Sequence, residues 1–100
     1  MTLETIPFDI ADEVGDEEAL AIYLDDALET NDPGYFAHAL GKVAKARGMT
    51  RIAREAGLSR GSLYAALSPD GNPTIATLML VMKSLGLRLG AARAAYTNLH

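Results

Sequence analysis

The chain contains no cysteine, so neither a disulfide nor a thiolate metal site can hold it together, and a reducing, cytoplasmic setting is the natural expectation. Histidine is almost as scarce: His38 sits among lysines in a predicted helix and His100 at the end of the chain. No Ser/His or Cys/His nucleophile arrangement can be assembled from those two. The carboxylates are numerous but scattered over helix faces, without the polar pocket that general acid–base chemistry requires. The expectation is a protein that is not an enzyme and has no catalytic residues, no cofactor and no metal. Long apolar runs are missing too. The stretch 75–82 falls far short of the roughly 20 residues needed to cross a bilayer, and residues 1–13 carry no basic residue and no apolar core that would read as a signal peptide. No membrane role is expected.

The last absence is one of sign. Residues 1–32 hold eleven acids and not one Lys or Arg, a charge of −11. Residues 33–100 hold all nine bases against only Glu55 and Asp70, a charge of +7. The net charge of −4 therefore hides two electrostatic surfaces, which point to two kinds of partner.

What is present is enough for one core. One hundred residues at 49% hydrophobic content suit a single compact domain. Residues 1–14 show no convincing helix, although Thr5, Ile6, Phe8 and Ile10 can form an extended segment that Pro7 confines to an edge. Gly15 and Asp16 then open a helix, with Asp16 as its cap, Glu17 and Glu18 against the positive end of its dipole, and a stripe of Leu20, Leu24, Ala27 and Leu28. Asp32-Pro33 starts a second helix over 33–47, burying Phe36, Leu40, Val43 and Ala44. His38, Lys42 and Lys45 share a different face of it, read as solvated. Gly41 in its interior costs about 1 kcal/mol relative to Ala, which implies that another helix passes close by.

After Gly48, with Thr50 as the expected cap, residues 49–67 read as a helix-turn-helix. Ile52, Ala53 and Ala56 make one apolar face, Gly57 supplies the positive φ of a sharp exit, Leu58 plugs the corner and Ser59 caps the next helix. Leu63 and Leu67 are buried from that second helix, leaving Arg60, Gly61, Ser62, Tyr64 and Ala65 outward. Such a helix can enter a major groove with its N-terminal residues at the base edges. The competing reading is an ordinary helical hairpin. Residues 68–73, dense in turn formers, are a loop. Asn72 or Thr74 caps a fifth helix that buries Ile75, Leu78, Met79, Met82 and Leu85 and ends at a Gly86 C-cap. Residues 87–89 alternate like a short strand. The fold expected is all-α: five helices with a lambda-repressor-like helix-turn-helix and a short C-terminal strand as an addition. Residues 1–32 form the acidic segment, 33–89 the DNA-binding part and 90–100 a tail.

A DNA reader needs phosphate contacts for affinity and base contacts for choice. Lys42, Lys45, Arg47, Arg51, Arg54 and Arg60 crowd this region with positive charge. Arg51 and Arg54 are assigned to phosphates, Arg60 to a guanine edge or a phosphate, Ser59 and Ser62 to phosphate or base, and Tyr64 to the backbone. A module this small reads few base pairs, so a homodimer on two half-sites is expected, joined through residues 87–96 or the N-terminal segment.

The chain resembles the probable addiction module antidote proteins, HigA-like antitoxins with a phage-repressor-type helix-turn-helix. The resemblance covers nearly the whole length. It rests on Phe8-Asp9-Ile10-Ala11, on Asp16-Glu17-Glu18 leading to Tyr23-Leu24 and Ala27-Leu28, and on Ala46-Arg47-Gly48-Met49-Thr50. It continues through 52–60, Ser62-Leu63-Tyr64 and the loop Leu67-Ser68-Pro69-Asp70-Gly71-Asn72-Pro73, and closes at Leu85-Gly86-Leu87. It implies an antitoxin that pairs with a small RelE/ParE/HigB-type toxin and represses its own operon, with DNA-reading positions at Ser59, Arg60, Ser62 and Tyr64. A basic toxin suits the acidic segment, and Asp25, Asp26 and Glu29 are its candidate contacts. The alternatives are a stand-alone helix-turn-helix regulator of transcription and a protein-interaction module that never touches DNA.

Overall fold

The computed structural model describes residues 17–94 and contains five helices: α1 (Glu17–Leu28), α2 (Pro33–Arg47), α3 (Met49–Ala56), α4 (Arg60–Ala66) and α5 (Ile75–Ser84). The Asp16 cap, the extended segment proposed within residues 1–14 and the tail beyond residue 94 lie outside the described residues. Among the described residues there is no strand. The alternation at residues 87–89 does not become one, because Leu87 and Leu89 pack against the helical core instead of pairing with a backbone neighbour.

Local chemistry explains most boundaries. Asp32 is extended at φ −111°, and its carboxylate accepts from the amides of Gly34 and Tyr35, while Pro33 occupies the first turn, where its missing N–H costs nothing. Thr74 caps α5 by accepting from the Thr77 amide. At the other end of α5 the Leu87 amide donates to the Met82 carbonyl at 2.8 Å beside the positive-φ Gly86, the expected C-cap. Thr50 is not a cap. The α2–α3 junction is too tight for one: Gly48 donates to the carbonyls of Ala44 and Lys45 to end α2, and its own carbonyl accepts from Ile52 to start α3.

The core gathers Leu20 and Leu24 of α1, Phe36, Leu40 and Val43 of α2, Ile52 of α3, Leu63 of α4, and Val81, Met82 and Leu85 around the end of α5. The short α3 is central. It packs on α2, α4 and α5, and it can do so because Ala53 and Ala56 are small on the face that Ile52 shares. Two predicted stripes need correction. Leu28 is exposed at the end of α1, and on α5 Ile75 and Met79 face outward while Val81, Met82 and Leu85 are buried and Leu78 is half-buried. The run 75–82 is apolar on nearly every side, so its sequence periodicity does not single out one inward face.

Candidate nucleic-acid interface

The α3–α4 pair is built by backbone conformation and one hydroxyl. Gly57 is left-handed at φ 74°, ψ 30°, a region where a Cβ is costly, and it turns the chain out of α3. The Leu58 amide closes back on the Ala53 carbonyl at 2.9 Å, and the Leu58 side chain packs half-buried against the core, filling the corner as expected. Ser59 is extended, and its Oγ accepts from the Ser62 amide at 3.0 Å, fixing the first turn of α4. Leu63 and Leu67 anchor that helix inward. Every residue between them and the cap that was expected to face outward does so: Arg60, Gly61, Ser62, Tyr64 and Ala65 are all exposed.

On this outer surface the side chains are partly organised. The Arg60 guanidinium lies 5.5 Å from the centre of the Tyr64 ring, with Nη2 donating to the Tyr64 hydroxyl at 3.4 Å. Such a stack restricts the arginine without neutralising it. Ser59 Oγ donates to Ser62 Oγ at 2.9 Å. Arg51 and Arg54 are exposed on α3. Arg51 Nε meets Glu55 Oε2 at 3.3 Å, an exposed i,i+4 pair of a kind that contributes little to stability. That pair leaves Arg51 readily available to another anion.

Two cations behave differently from their sequence reading. Arg47 adds less to the surface than its place in the basic cluster promised: its Nε and Nη2 are buried without a hydrogen-bond partner. Lys45, read as part of a wet helix face and left outside the site, has its Nζ 5.8 Å from the centre of the same Tyr64 ring that Arg60 covers. The signal for this was Gly41. A Cβ there would come within 2.9 Å of the Leu67 carbonyl oxygen, so the end of α4 lies directly against α2. One turn further along α2, Lys45 reaches Tyr64.

The acidic candidates lie on α1. Asp25, Asp26 and Glu29 are all exposed, but they do not act as one cluster. Asp25 and Glu18 line a groove of about 430 Å³ together with Ile22, Leu24, Leu28, Met82 and the 87–92 segment, which brings Arg88 to it; Asp26 and Glu29 are not part of its lining. No helix among the described residues is long and apolar enough to cross a membrane.

A family model described as "Probable addiction module antidote protein" matches residues 4–93. The chain belongs to this family. An antidote family implies a toxin as its partner. An uncharacterized protein of Haemophilus influenzae is similar to this antidote-family chain, at 43% identity over 96 residues, covering 96% of this chain and 99% of the relative. No solved structure matches it.

Proposed function

We propose that this protein is the antitoxin of a type II toxin–antitoxin module, a HigA-like cytoplasmic protein that neutralises a small basic RelE/ParE/HigB-type toxin by direct binding. In the same proposal it represses its own operon through α3–α4, acting as a phage-repressor, lambda-repressor-like helix-turn-helix. The observation that carries the DNA half is the outer face of α4. Arg60, Ser62 and Tyr64 are exposed on a short helix whose other side is anchored by Leu63 and Leu67, the arrangement a recognition helix needs to meet base edges. Ser59 and Arg60 at its start face the bases, and Arg51 and Arg54 on α3 hold phosphates.

The toxin half is supported by family membership together with charge. RNA-cleaving toxins hold phosphates and are accordingly basic, and the first 32 residues carry acids only. Operator binding on two half-sites calls for a homodimer. Of the contacts expected from the sequence, Leu87 and Leu89 are taken up by the protein's own core, and an exposed apolar face on α5 suits the dimer contact instead: Ile75 is 66% exposed and Met79 56%, with Lys83 the only charge in the helix. A two-fold interface sets a patch against itself, so a nearly uncharged patch avoids like-charge repulsion.

Co-expression with the small neighbouring open reading frame, followed by size-exclusion of the tagged protein, tests the toxin half; a stable complex that restores growth is the expected result. Arg60→Ala tests the DNA half. Loss of a bidentate edge contact should weaken binding to the promoter by about 1 to 3 kcal/mol. An Arg60→Ala protein that binds its promoter as tightly and selectively as the wild type would refute the assignment of α4.

A further inference from the structure

The seven residues of α4 include no Asn, Gln, Asp or Glu. Adenine is read by a side chain that both donates and accepts, and cytosine by one that accepts from its N4; a fork of donors alone matches guanine, whose O6 and N7 both accept. Arg60 is the group on α4 with such a fork, and Tyr64 controls how it is presented. Residues four apart stand one above the other on a helix, and the later side chain leans back over the earlier turn. The Tyr64 ring centre accordingly lies 5.5 Å from the Arg60 guanidinium, and Nη2 donates to the Tyr64 hydroxyl at 3.4 Å. Nη2 belongs to both forks of a guanidinium, the side-on one with Nε and the end-on one with Nη1. Giving one of its two protons to tyrosine engages one fork and leaves the other for a base edge. The hydroxyl accepts that bond and keeps its own proton as a further donor.

We propose that Tyr64 is a positioning residue: it holds Arg60 with one fork outward, and through that fork the protein reads a guanine of its operator. This role rests on the DNA-binding reading of α4 above, and it replaces the contact with the DNA backbone expected for Tyr64 from the sequence. Preorganisation supplies the reason. An arginine that samples many rotamers loses that freedom on binding, and the loss is subtracted from the contact it makes. The ring confines Arg60 before DNA arrives and leaves its charge in place. The ring itself stands on a fixed support, because Leu63 and Leu67 are buried on the other side of α4 and Ser59 caps it. Lys45 brings a second cation to the same ring from α2, with Nζ 5.8 Å from its centre.

The test substitutes each base pair of the promoter duplex in turn and measures binding by wild type, Arg60→Ala, Tyr64→Leu, Tyr64→Phe and the Arg60→Ala/Tyr64→Leu double variant. Arg60→Ala should abolish the preference at one guanine of a half-site, a loss of about 5- to 150-fold. Tyr64→Leu should lower the preference at that same guanine about 2- to 5-fold, the worth of an exposed contact between cation and ring, and leave the other positions as they were. Tyr64→Phe keeps the ring and should fall between wild type and Tyr64→Leu; it is the closer match in volume and carries the same test if Tyr64→Leu folds poorly. In the Arg60→Ala background Tyr64→Leu should change nothing further, which separates positioning from a contact of its own. A Tyr64→Leu loss that is uniform over all base pairs, or that persists without Arg60, makes Tyr64 a backbone contact and overturns the proposal while the DNA reading stands. A Tyr64→Leu protein with wild-type preference overturns it in the same way, and so does an adenine or cytosine at the position Arg60 reads. A wild type that does not bind the promoter, or an Arg60→Ala protein that keeps every preference, overturns the DNA reading of α4 and the role of Tyr64 together.

Discussion

Gly41→Ala and Gly61→Ala make the same chemical change in two helices and should move stability in opposite directions. In a helix interior alanine is worth about 1 kcal/mol over glycine. At Gly41 that gain meets an obstacle: the new Cβ would stand 2.9 Å from the Leu67 carbonyl oxygen and 3.4 Å from the Leu67 Cβ. The oxygen belongs to backbone at the end of α4, and the Leu67 side chain is itself buried, so relief requires moving α4 within a packed core. Overpacking of that kind costs about 1 to 3 kcal/mol, leaving a net loss of up to about 2 kcal/mol. At Gly61, in the first turn of α4, nothing lies within 4 Å of the new Cβ, and a gain of up to about 0.5 kcal/mol is expected, less than the mid-helix value because the position is near the helix end. Urea denaturation reads both as shifts of midpoint at constant slope, and in a domain of this size 1 kcal/mol moves Tm by about 4 to 8 °C. If Gly41→Ala stabilises as much as Gly61→Ala, then α2 and the end of α4 do not approach each other this closely, and the shared Lys45–Tyr64–Arg60 surface loses its basis.

Three further outcomes follow from named contacts. Ser59→Ala removes the acceptor of the Ser62 amide and should lower stability by about 1 kcal/mol, with Ser59→Asp recovering most of it; a calorimetric Tm unmoved by Ser59→Ala would contradict the cap. Reversing Asp25, Asp26 and Glu29 to lysine should weaken the toxin complex steeply at low salt and hardly at all near 1 M salt, where the Debye length is about 3 Å; equal pull-down at low salt would remove α1 from the toxin interface. Replacing Ile75 and Met79 with glutamine should convert a dimer to monomer in light scattering without lowering monomer stability, since both side chains are exposed; a persisting dimer would place the contact elsewhere.

The parts of this fold that were legible in the sequence are those fixed within a few residues. Asp32-Pro33, Gly57, Ser59 and Thr74 each act on an amide or carbonyl less than a turn away, so residue type alone locates the boundary, and the outward set of α4 follows once Leu63 and Leu67 are inward. Failures occur where a distant partner decides. Thr50 is the exception, a local failure: it has the chemistry of a cap, but Gly48 two residues earlier both ends α2 and starts α3 and so takes that place. Ile75 and Met79 belong to as good an apolar stripe as Val81 and Leu85, and only the position of α3 against α5 selects between them. Lys45 is the case that bears on function. A lysine at regular helical spacing beside His38 and Lys42 looks like any solvated face, and it reaches the Tyr64 ring because a glycine one turn earlier admits the Leu67 backbone. The sequence contained the clue in Gly41, an otherwise costly residue inside a helix, but a costly residue says only that something comes close. What comes close is the end of the helix that carries Tyr64, and that sets Lys45 beside the same ring that Arg60 covers.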